Sequence, residues 1–192
     1  MLKLCAAFIA LLAVAASLHA QIRIDGHWWN GANPESRRGT LNGTIDCMVS
    51  NHSAKLPTLT VPAFQEQVDV AFAQDTAGRT LAEVLLALPK KSPPRAPGGE
   101  DYSKEKHGWF DGDYWGSAKD DERSGFLIGY LSCGNTLPVS ISRINEYRDT
   151  IDLWYDKHPS SNAKIANVIA KIRQQAKGEK NPSVPSPPQK PK

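Results

Sequence analysis

The sequence predicts an all-α protein made of two similar halves. Three observations lead to this class: an internal repeat, apolar residues at helical spacing in both copies, and the lack of a segment that alternates convincingly as a strand. A unit of about 60 residues buries only a marginal core by itself. We therefore expect two pseudo-symmetric three-helix repeats packed as one domain.

The repeat pairs Asp25–Cys47 with Asp111–Cys133 at a constant offset of 86 residues. Nine of these 23 positions are identical, where background composition would give about one or two. Beyond them the copies keep one apolar pattern at slightly shifted offsets, as loops of different length require. The matched sets are Phe64, Val68, Asp69, Val70 and Phe72 with Tyr147, Ile151, Asp152, Leu153 and Tyr155, then Leu81, Val84, Leu85 and Leu88 with Ile165, Val168, Ile169 and Ile172. A tandem duplication follows.

Both copies contain a helix with a glycine face. Residues four apart lie on one side of a helix, one turn above another. A glycine inside a helix costs about 1 kcal/mol relative to alanine, so we expect a second backbone to approach these faces and offset the cost. The faces consist of Gly39, Gly43 and Cys47 in the first copy and of Gly125, Gly129 and Cys133 in the second.

Residues 1–20 are predicted to be a secretory signal peptide, because Lys3 precedes an apolar run that ends at Ala16. We place the cleavage before Gln21; an uncleaved anchor is the alternative, although the run is short for a bilayer. The protein is then expected in the periplasm or outside the cell, with no transmembrane segment after signal removal. The other predicted units are repeat 1 (21–88), a Pro/Gly-rich connector (89–107), repeat 2 (108–176) and a disordered tail (177–192).

The mature chain keeps two cysteines, Cys47 and Cys133, at equivalent positions of the repeat. Export favours an oxidising compartment, where an even count indicates a disulfide. Near a pseudo-twofold axis, a residue can meet its own counterpart. We predict a Cys47–Cys133 bond, worth about 4 kcal/mol in the chain-entropy model; two buried free thiols are the alternative.

Capping signals place the helix ends. Asn33-Pro34 and Ser117 precede the first helix of each copy. Thr80–Glu83 is a capping-box pattern that opens the third helix of the first copy. In the second copy, His158-Pro159 ends the second helix, and Ser160–Asn162 opens the third.

Aromatic residues cluster just ahead of each glycine-faced helix. Trp29 and Trp115 form the repeated pair and are expected in the core, since Trp is highly buried on average. Trp28, Trp109 and Tyr114 are expected to be more open. They form the predicted binding surface, because exposed Trp and Tyr stack on sugars or anchor protein interfaces.

The sequence contains no motif that indicates catalysis, a cofactor or a metal site. Asp25 and Asp111 recur, as a general acid and base would, but each precedes glycine and is interpreted as a turn residue. GxSxG, HExxH and phosphate-binding glycine loops are missing. The four histidines that follow the predicted signal peptide show no ligand spacing; they are His27, His52, His107 and His158.

The net charge is small. The formal charge of +3 includes Lys3, so removal of the signal peptide leaves +2. Basic residues concentrate in the last helix and tail without interleaved aromatics, which does not favour binding to nucleic acid.

One motif resembles a known family. It is Trp115-x7-Arg123-x3-Leu127-x-Gly129-Tyr130, followed by an amphipathic helix that ends in Tyr155–Pro159 and by a short final helix. This pattern is similar to small exported bacterial proteins of the Rap1a/Tai immunity type. The resemblance implies a compact helical fold and the neutralisation of peptidoglycan-amidase effectors through protein–protein contact.

We therefore expect an exported, non-catalytic helical protein that binds another protein of the envelope. An immunity-type inhibitor is one such role. A cell-wall or glycan-binding module that uses Trp28, Trp109 and Tyr114 is the alternative. An enzyme with a carboxylate pair at Asp25 and Asp111 comes third.

Overall fold

The computed structural model describes residues 22–52, 54–57, 59–74, 78–89, 110–133, 139–159, 161 and 163–179. This part of the chain forms eight α-helices and no strand, which confirms the all-α class. The predicted signal peptide, most of the connector and residues 180–192 lie outside it. The helices are α1 (Gly26–Gly31), α2 (Pro34–His52), α3 (Val61–Gln74), α4 (Leu81–Ala87), α5 (Gly112–Ser117), α6 (Asp120–Cys133), α7 (Ile141–Lys157) and α8 (Ile165–Glu179).

The short helices α1 and α5 were not predicted. Each of the two predicted repeats therefore contains four described helices instead of three. Asp25 and Asp111 are the N-cap residues of these two helices. Each carboxylate accepts hydrogen bonds from two backbone N–H groups of the first turn, at 3.0 and 3.2 Å for Asp25 and at 3.0 and 3.3 Å for Asp111. The hydrogen bond to the N–H two residues on is that of an Asx turn, so both residues form the predicted turn, and each turn opens a short helix.

Most predicted helix ends are confirmed. Asn33 Oδ1 accepts a hydrogen bond from the Ser36 N–H at 2.8 Å, and α2 begins at Pro34. The capping box at Thr80–Glu83 is present in full. Helix α7 ends at Lys157, with His158 as its C-cap.

Two predicted boundaries of the second copy differ. Ser117 is the last residue of α5, where its hydroxyl donates to the Tyr114 carbonyl at 3.0 Å, and α6 begins three residues later at Asp120. Helix α8 begins at Ile165 and continues to Glu179, past the predicted end of repeat 2 at residue 176. Ser160 and Asn162 lie outside the described residues.

The core consists of two hydrophobic clusters. The first cluster comes from residues 24–85, the second mainly from residues 110–169, with Cys47 reaching into it. Ile22, Ile128 and Cys133 pack against both clusters. The largest fully buried side chains are Trp29, Phe64, Phe72, Phe126, Leu41, Leu81, Leu85, Leu127, Ile151, Ile165, Ile169 and Val68.

The repeated tryptophans lie in the core, as predicted. Trp29 is 0 % exposed and Trp115 is 2 % exposed. Their indole Nε1–H groups donate to Asp69 Oδ1 and Asp152 Oδ1, both at 2.6 Å. Asp69 of α3 and Asp152 of α7, which are matched in the sequence repeat, thus satisfy the one polar atom of each buried indole.

Within the described ranges, none of the helices combines the length and the apolar character needed to cross a bilayer.

Candidate functional site

Helices α2 and α6 pack with their backbones in direct contact. A Cβ atom placed on Gly43 would lie 2.0 Å from the Phe126 carbonyl oxygen, and one placed on Gly129 would lie 2.1 Å from that of Thr40. A side chain at either glycine would force the two helices apart. The expected close approach of a second backbone to the glycine faces is therefore confirmed.

The disulfide at the end of this contact is also confirmed. Cys47 of α2 is bonded to Cys133, the last residue of α6, and their Cα atoms are 6.2 Å apart. That separation lies within the usual range for a disulfide. The two glycine-faced helices are thus covalently joined across 86 residues of sequence.

A buried carboxylate connects the two helices on their polar side. Glu122 of α6 is 4 % exposed, and its Oε2 accepts a hydrogen bond from Arg38 Nη2 of α2. The Tyr114 hydroxyl donates to Glu122 Oε1 at 3.2 Å, and Asn42 Nδ2 donates to the Tyr114 hydroxyl at 3.4 Å. Burial raises the pKa of Tyr114, so its hydroxyl keeps the proton that it donates to Glu122.

A cavity of about 610 Å³ opens beside the disulfide. The extended N-terminal segment forms one wall, the start of α4 forms a second, and Thr44, Ser132 and Cys133 close it from α2 and α6. Its size falls in the range of ligand-binding pockets. The lining residues are Ile22, Arg23, Ile24, Thr44, Thr80, Leu81, Ala82, Glu83, Ser132 and Cys133.

Two hydroxyl groups of the lining residues are unsatisfied. Thr44 Oγ1 and Ser132 Oγ are buried and have no hydrogen-bond partner among the described residues. A buried polar group without a partner costs about 1–3 kcal/mol. Such groups call for an explanation, and a bound polar atom or water is a common one.

The charged groups of the cavity are already held by the chain itself. Arg23 Nη2 donates to the Gly78 carbonyl at 3.2 Å, and Arg23 Nε lies 3.7 Å from Asp25 Oδ2. Glu83 accepts the Thr80 N–H at 2.7 Å, and this backbone hydrogen bond lowers the pKa of Glu83. The cavity therefore presents one guanidinium and one carboxylate, each already bonded to the chain.

Ile24, which lines the cavity, and Phe110 make backbone hydrogen bonds of the same kind. The Leu81 N–H donates to the Ile24 carbonyl, and the Ile165 N–H donates to the Phe110 carbonyl, both at 2.8 Å. Phe110 is 6 % exposed, and its ring centroid lies 5.2 Å from that of Phe126. Ile24 is also 6 % exposed and belongs to the first cluster.

The predicted aromatic surface is only partly described. Trp28 is half-buried and packs against the first cluster. Tyr114 is half-buried against the second cluster, with its ring centroid 4.6 Å from that of Phe110 and its hydroxyl bonded to Glu122. Both side chains are more open than Trp29 and Trp115, and their role in binding stays a prediction. Trp109 lies outside the described residues.

The other residues weighed for chemistry have structural partners or lie outside the described part. Asp25 and Asp111 are engaged as helix caps, and His158 Nδ1 lies 2.7 Å from the Trp154 carbonyl. The side chains of His52 and His107 are not among those described. Within the described ranges, no group of three or more His, Cys, Asp or Glu is placed to hold a metal ion.

Sequence reasoning did not find the cavity. Its residues come from four places far apart in the chain, and Ile22 precedes the matched stretch that begins at Asp25. One available signal was the presence of polar residues among core positions of the glycine-faced helices. Asn42, Thr44 and Asp46 are each less than 5 % exposed, and polar residues are mostly found at the surface.

Comparisons with known proteins assign no family to this chain. No protein-family model matches it, and no curated protein or solved structure is significantly similar to it. The Rap1a/Tai resemblance therefore stays a prediction. The function that follows is inferred from the cavity and from the helix contact beside it.

Proposed function

We propose that this chain is an exported, non-catalytic helical protein that binds another protein, and that the partner places an apolar side chain in the cavity beside the disulfide. The observation that carries this proposal is the cavity itself, about 610 Å³ in volume. Binding pockets of this size are mostly apolar, with a few convergent polar groups. Ile22, Ile24 and Leu81 supply the apolar wall here, and the hydroxyl residues supply the polar groups.

The charges of the cavity favour a protein anchor over a strongly charged ligand. Arg23 and Glu83 have opposite signs, and each already bonds to the chain. A net attraction for a polyanion or a polycation is therefore weak. Interface hot spots typically combine an apolar or aromatic anchor in a pocket with polar contacts around it, and the lining matches that description.

We further propose that the cavity belongs to a duplicated domain with two pseudo-symmetric repeats. The glycine contacts support this architecture: Gly39 faces the Glu122 carbonyl, and Gly125 faces the Ser36 carbonyl. Adding 86 to 39 gives 125, and subtracting 86 from 122 gives 36, so the second contact is the first with the two copies exchanged. Reciprocal contacts of this kind are expected when a surface packs against its own copy.

The proposed location follows from the predicted signal peptide. Cleavage before Gln21 would start the mature chain one residue ahead of Ile22, at the wall of the cavity. Mass spectrometry of the protein recovered from the periplasm or medium should find Gln21 as the first residue. Recovery of the intact chain in the membrane fraction would contradict export as a cleaved protein.

The binding proposal is tested by capture with a matched pair of variants. Ala82 lines the cavity and is half-buried, whereas Ala87 is exposed at the end of the same helix. Tagged wild type and Ala87→Phe should retain the same protein from an envelope extract, and Ala82→Phe should lose it by about tenfold or more, because the ring fills the space for the anchor. Circular dichroism confirms that both variants fold.

Other results separate the alternatives. Retention of the partner by Ala82→Phe would place the binding site elsewhere. Binding to purified peptidoglycan with no protein partner would favour the cell-wall or glycan-binding alternative. The Rap1a/Tai resemblance makes peptidoglycan amidases the first class of purified partner to test.

A further inference from the structure

The disulfide is unequally placed with respect to the cavity. Cys133 is half-buried and lines the cavity, whereas Cys47 is 0 % exposed within the second cluster. A reagent that reaches this bond through the cavity meets Cys133 first. Access and thiolate stability decide which sulfur takes part in thiol–disulfide exchange.

The surroundings of Cys47 favour it as the leaving sulfur. Asn51 Nδ2 donates to Cys47 Sγ at 3.6 Å and to the Tyr130 hydroxyl at 3.3 Å. A hydrogen-bond donor stabilises the negative charge that develops on a departing thiolate. Access through the cavity favours attack at Cys133, and the Asn51 donor favours the departure of Cys47 as the thiolate.

We infer that Cys133 is the sulfur at which an external dithiol enters and reduces this disulfide, by way of the cavity. A thiolate of the dithiol attacks Cys133 Sγ, an intermolecular S–S bond forms, and the Cys47–Cys133 bond breaks. The electron pair leaves on Cys47 Sγ, which takes a proton from solvent. The second thiolate of the dithiol then attacks its own bonded sulfur, so that Cys133 leaves as a thiolate and the dithiol becomes a disulfide.

The inference is independent of the proposed partner and does not require one. A dithiol reductant of the compartment is the chemical class that the cavity would admit. Because the reaction converts a covalent link between α2 and α6 into two thiols, Cys133 becomes a site of redox modification.

The test uses the folded, oxidised wild-type protein and glutathione as the probe. After brief exposure, free thiols are blocked with N-ethylmaleimide and the adducts are located by peptide mass mapping. Glutathione should be found on Cys133 and maleimide on Cys47, with an excess of about tenfold over the reverse pattern. In urea the two patterns should become equal, because unfolding removes the difference in access.

Two results would overturn the inference. One is glutathione on Cys47, or on both cysteines equally, in the folded protein. The other is a reduction rate that stays unchanged when Ala82→Phe narrows the cavity while the circular dichroism spectrum remains that of wild type. Ala87→Phe is the matched control and should be reduced as fast as wild type.

Discussion

At the scale of single residues, the most unusual feature is a carboxylic acid buried in helix α2. Asp46 is 3 % exposed; its Oδ1 accepts a hydrogen bond from the Ser50 hydroxyl at 3.4 Å, and its Oδ2 has no partner among the described residues. Burial raises the pKa of Asp46 from its ordinary 3.8 to about 6, although Ser50 and the charge of Lys164 act in the opposite direction. Desolvation thus outweighs both attractive contacts.

This residue makes stability depend on pH. Between about pH 4 and pH 6, Asp46 loses its proton in the unfolded chain but keeps it in the folded chain. The free energy of unfolding therefore falls as the pH rises through this window, by an amount on the order of 2–3 kcal/mol. Asp46→Asn should remove this decrease, as measured by urea denaturation at pH 4, 5, 6 and 7.

Asp149→Asn provides the control, because the Asp149 side chain is 71 % exposed. It should follow the wild-type pH profile. A parallel profile for Asp46→Asn and wild type would contradict the raised pKa of Asp46.

The burial of individual residues was predictable where the residue type and its recurrence in the repeat indicate it. Trp29 and Trp115 were placed in the core because they are large and recur. Tyr114 was expected to be more open than these two, and it is, but nothing near it in the sequence indicated that Glu122, eight residues later, would accept its hydroxyl. A contact of this kind depends on how α5 turns back over α6, which local sequence does not specify.

At the scale of helices, two ion pairs of the described residues differ in their surroundings. One joins α2 to α6, and the other joins α2 to Lys119, the residue just before α6. Arg38 bonds to the buried Glu122, whereas Lys119 Nζ lies 2.8 Å from Glu35 Oε1 at the surface. The side chain of Glu122 is 5 % exposed, and that of Lys119 is 72 % exposed. A carboxylate that loses its partner inside the protein costs far more than one that returns to water.

Arg38→Ala should therefore lower the free energy of unfolding by about 1–2 kcal/mol, the figure being moderated by the half-exposed guanidinium and by the remaining bond from Tyr114. Lys119→Ala should change stability little. Adding Glu122→Gln to Arg38→Ala should recover part of the loss, because the charge left unpaired is removed. Equal effects of Arg38→Ala and Lys119→Ala in urea denaturation would contradict this account.

The long helices were predictable and the short ones were not. Helices α2, α3, α6, α7 and α8 span enough turns for a period of 3.6 residues to show. Helices α1 and α5 have six residues each, too few for a period, and their Asp-Gly starts read equally well as turns. Capping chemistry helped where the full pattern was present, as at Thr80–Glu83.

At the scale of the whole molecule, the disulfide and the glycine contact join the same two helices. The bond closes a loop of 86 residues, for which the chain-entropy model gives about 4 kcal/mol. The two packed clusters and the glycine contact also hold these helices together. We therefore expect the reduced protein to stay folded but less stable.

Urea denaturation with and without a phosphine reductant measures this difference. The oxidised form should be more stable by about 4 kcal/mol, and the double variant Cys47→Ser, Cys133→Ser should match the reduced form and ignore the reductant. Identical unfolding of the oxidised and reduced forms would mean that the bond adds nothing to the fold.

The contact between α2 and α6 was predictable because it leaves a mark at fixed spacing. In both copies, two glycines four residues apart precede the paired cysteine. The geometry of a single helix is enough to place these three residues on one face. The cavity was not predictable, since it arises where Ile22, the start of α4 and the end of α6 fail to fill the space between them. A close helix contact requires small residues at a fixed spacing, whereas a cavity requires no particular residues at any spacing.

The central claim is that backbone contact at the glycine faces holds the molecule together, and the free energy of unfolding of Gly43→Ala tests it most directly. The added methyl would lie 2.0 Å from the Phe126 carbonyl oxygen, so we expect a loss of about 2–3 kcal/mol, even though alanine favours a helix by about 1 kcal/mol. In the control Gly116→Ala, the methyl meets nothing within 4 Å, and stability should stay the same or rise. A Gly43→Ala protein as stable as wild type would contradict the claim.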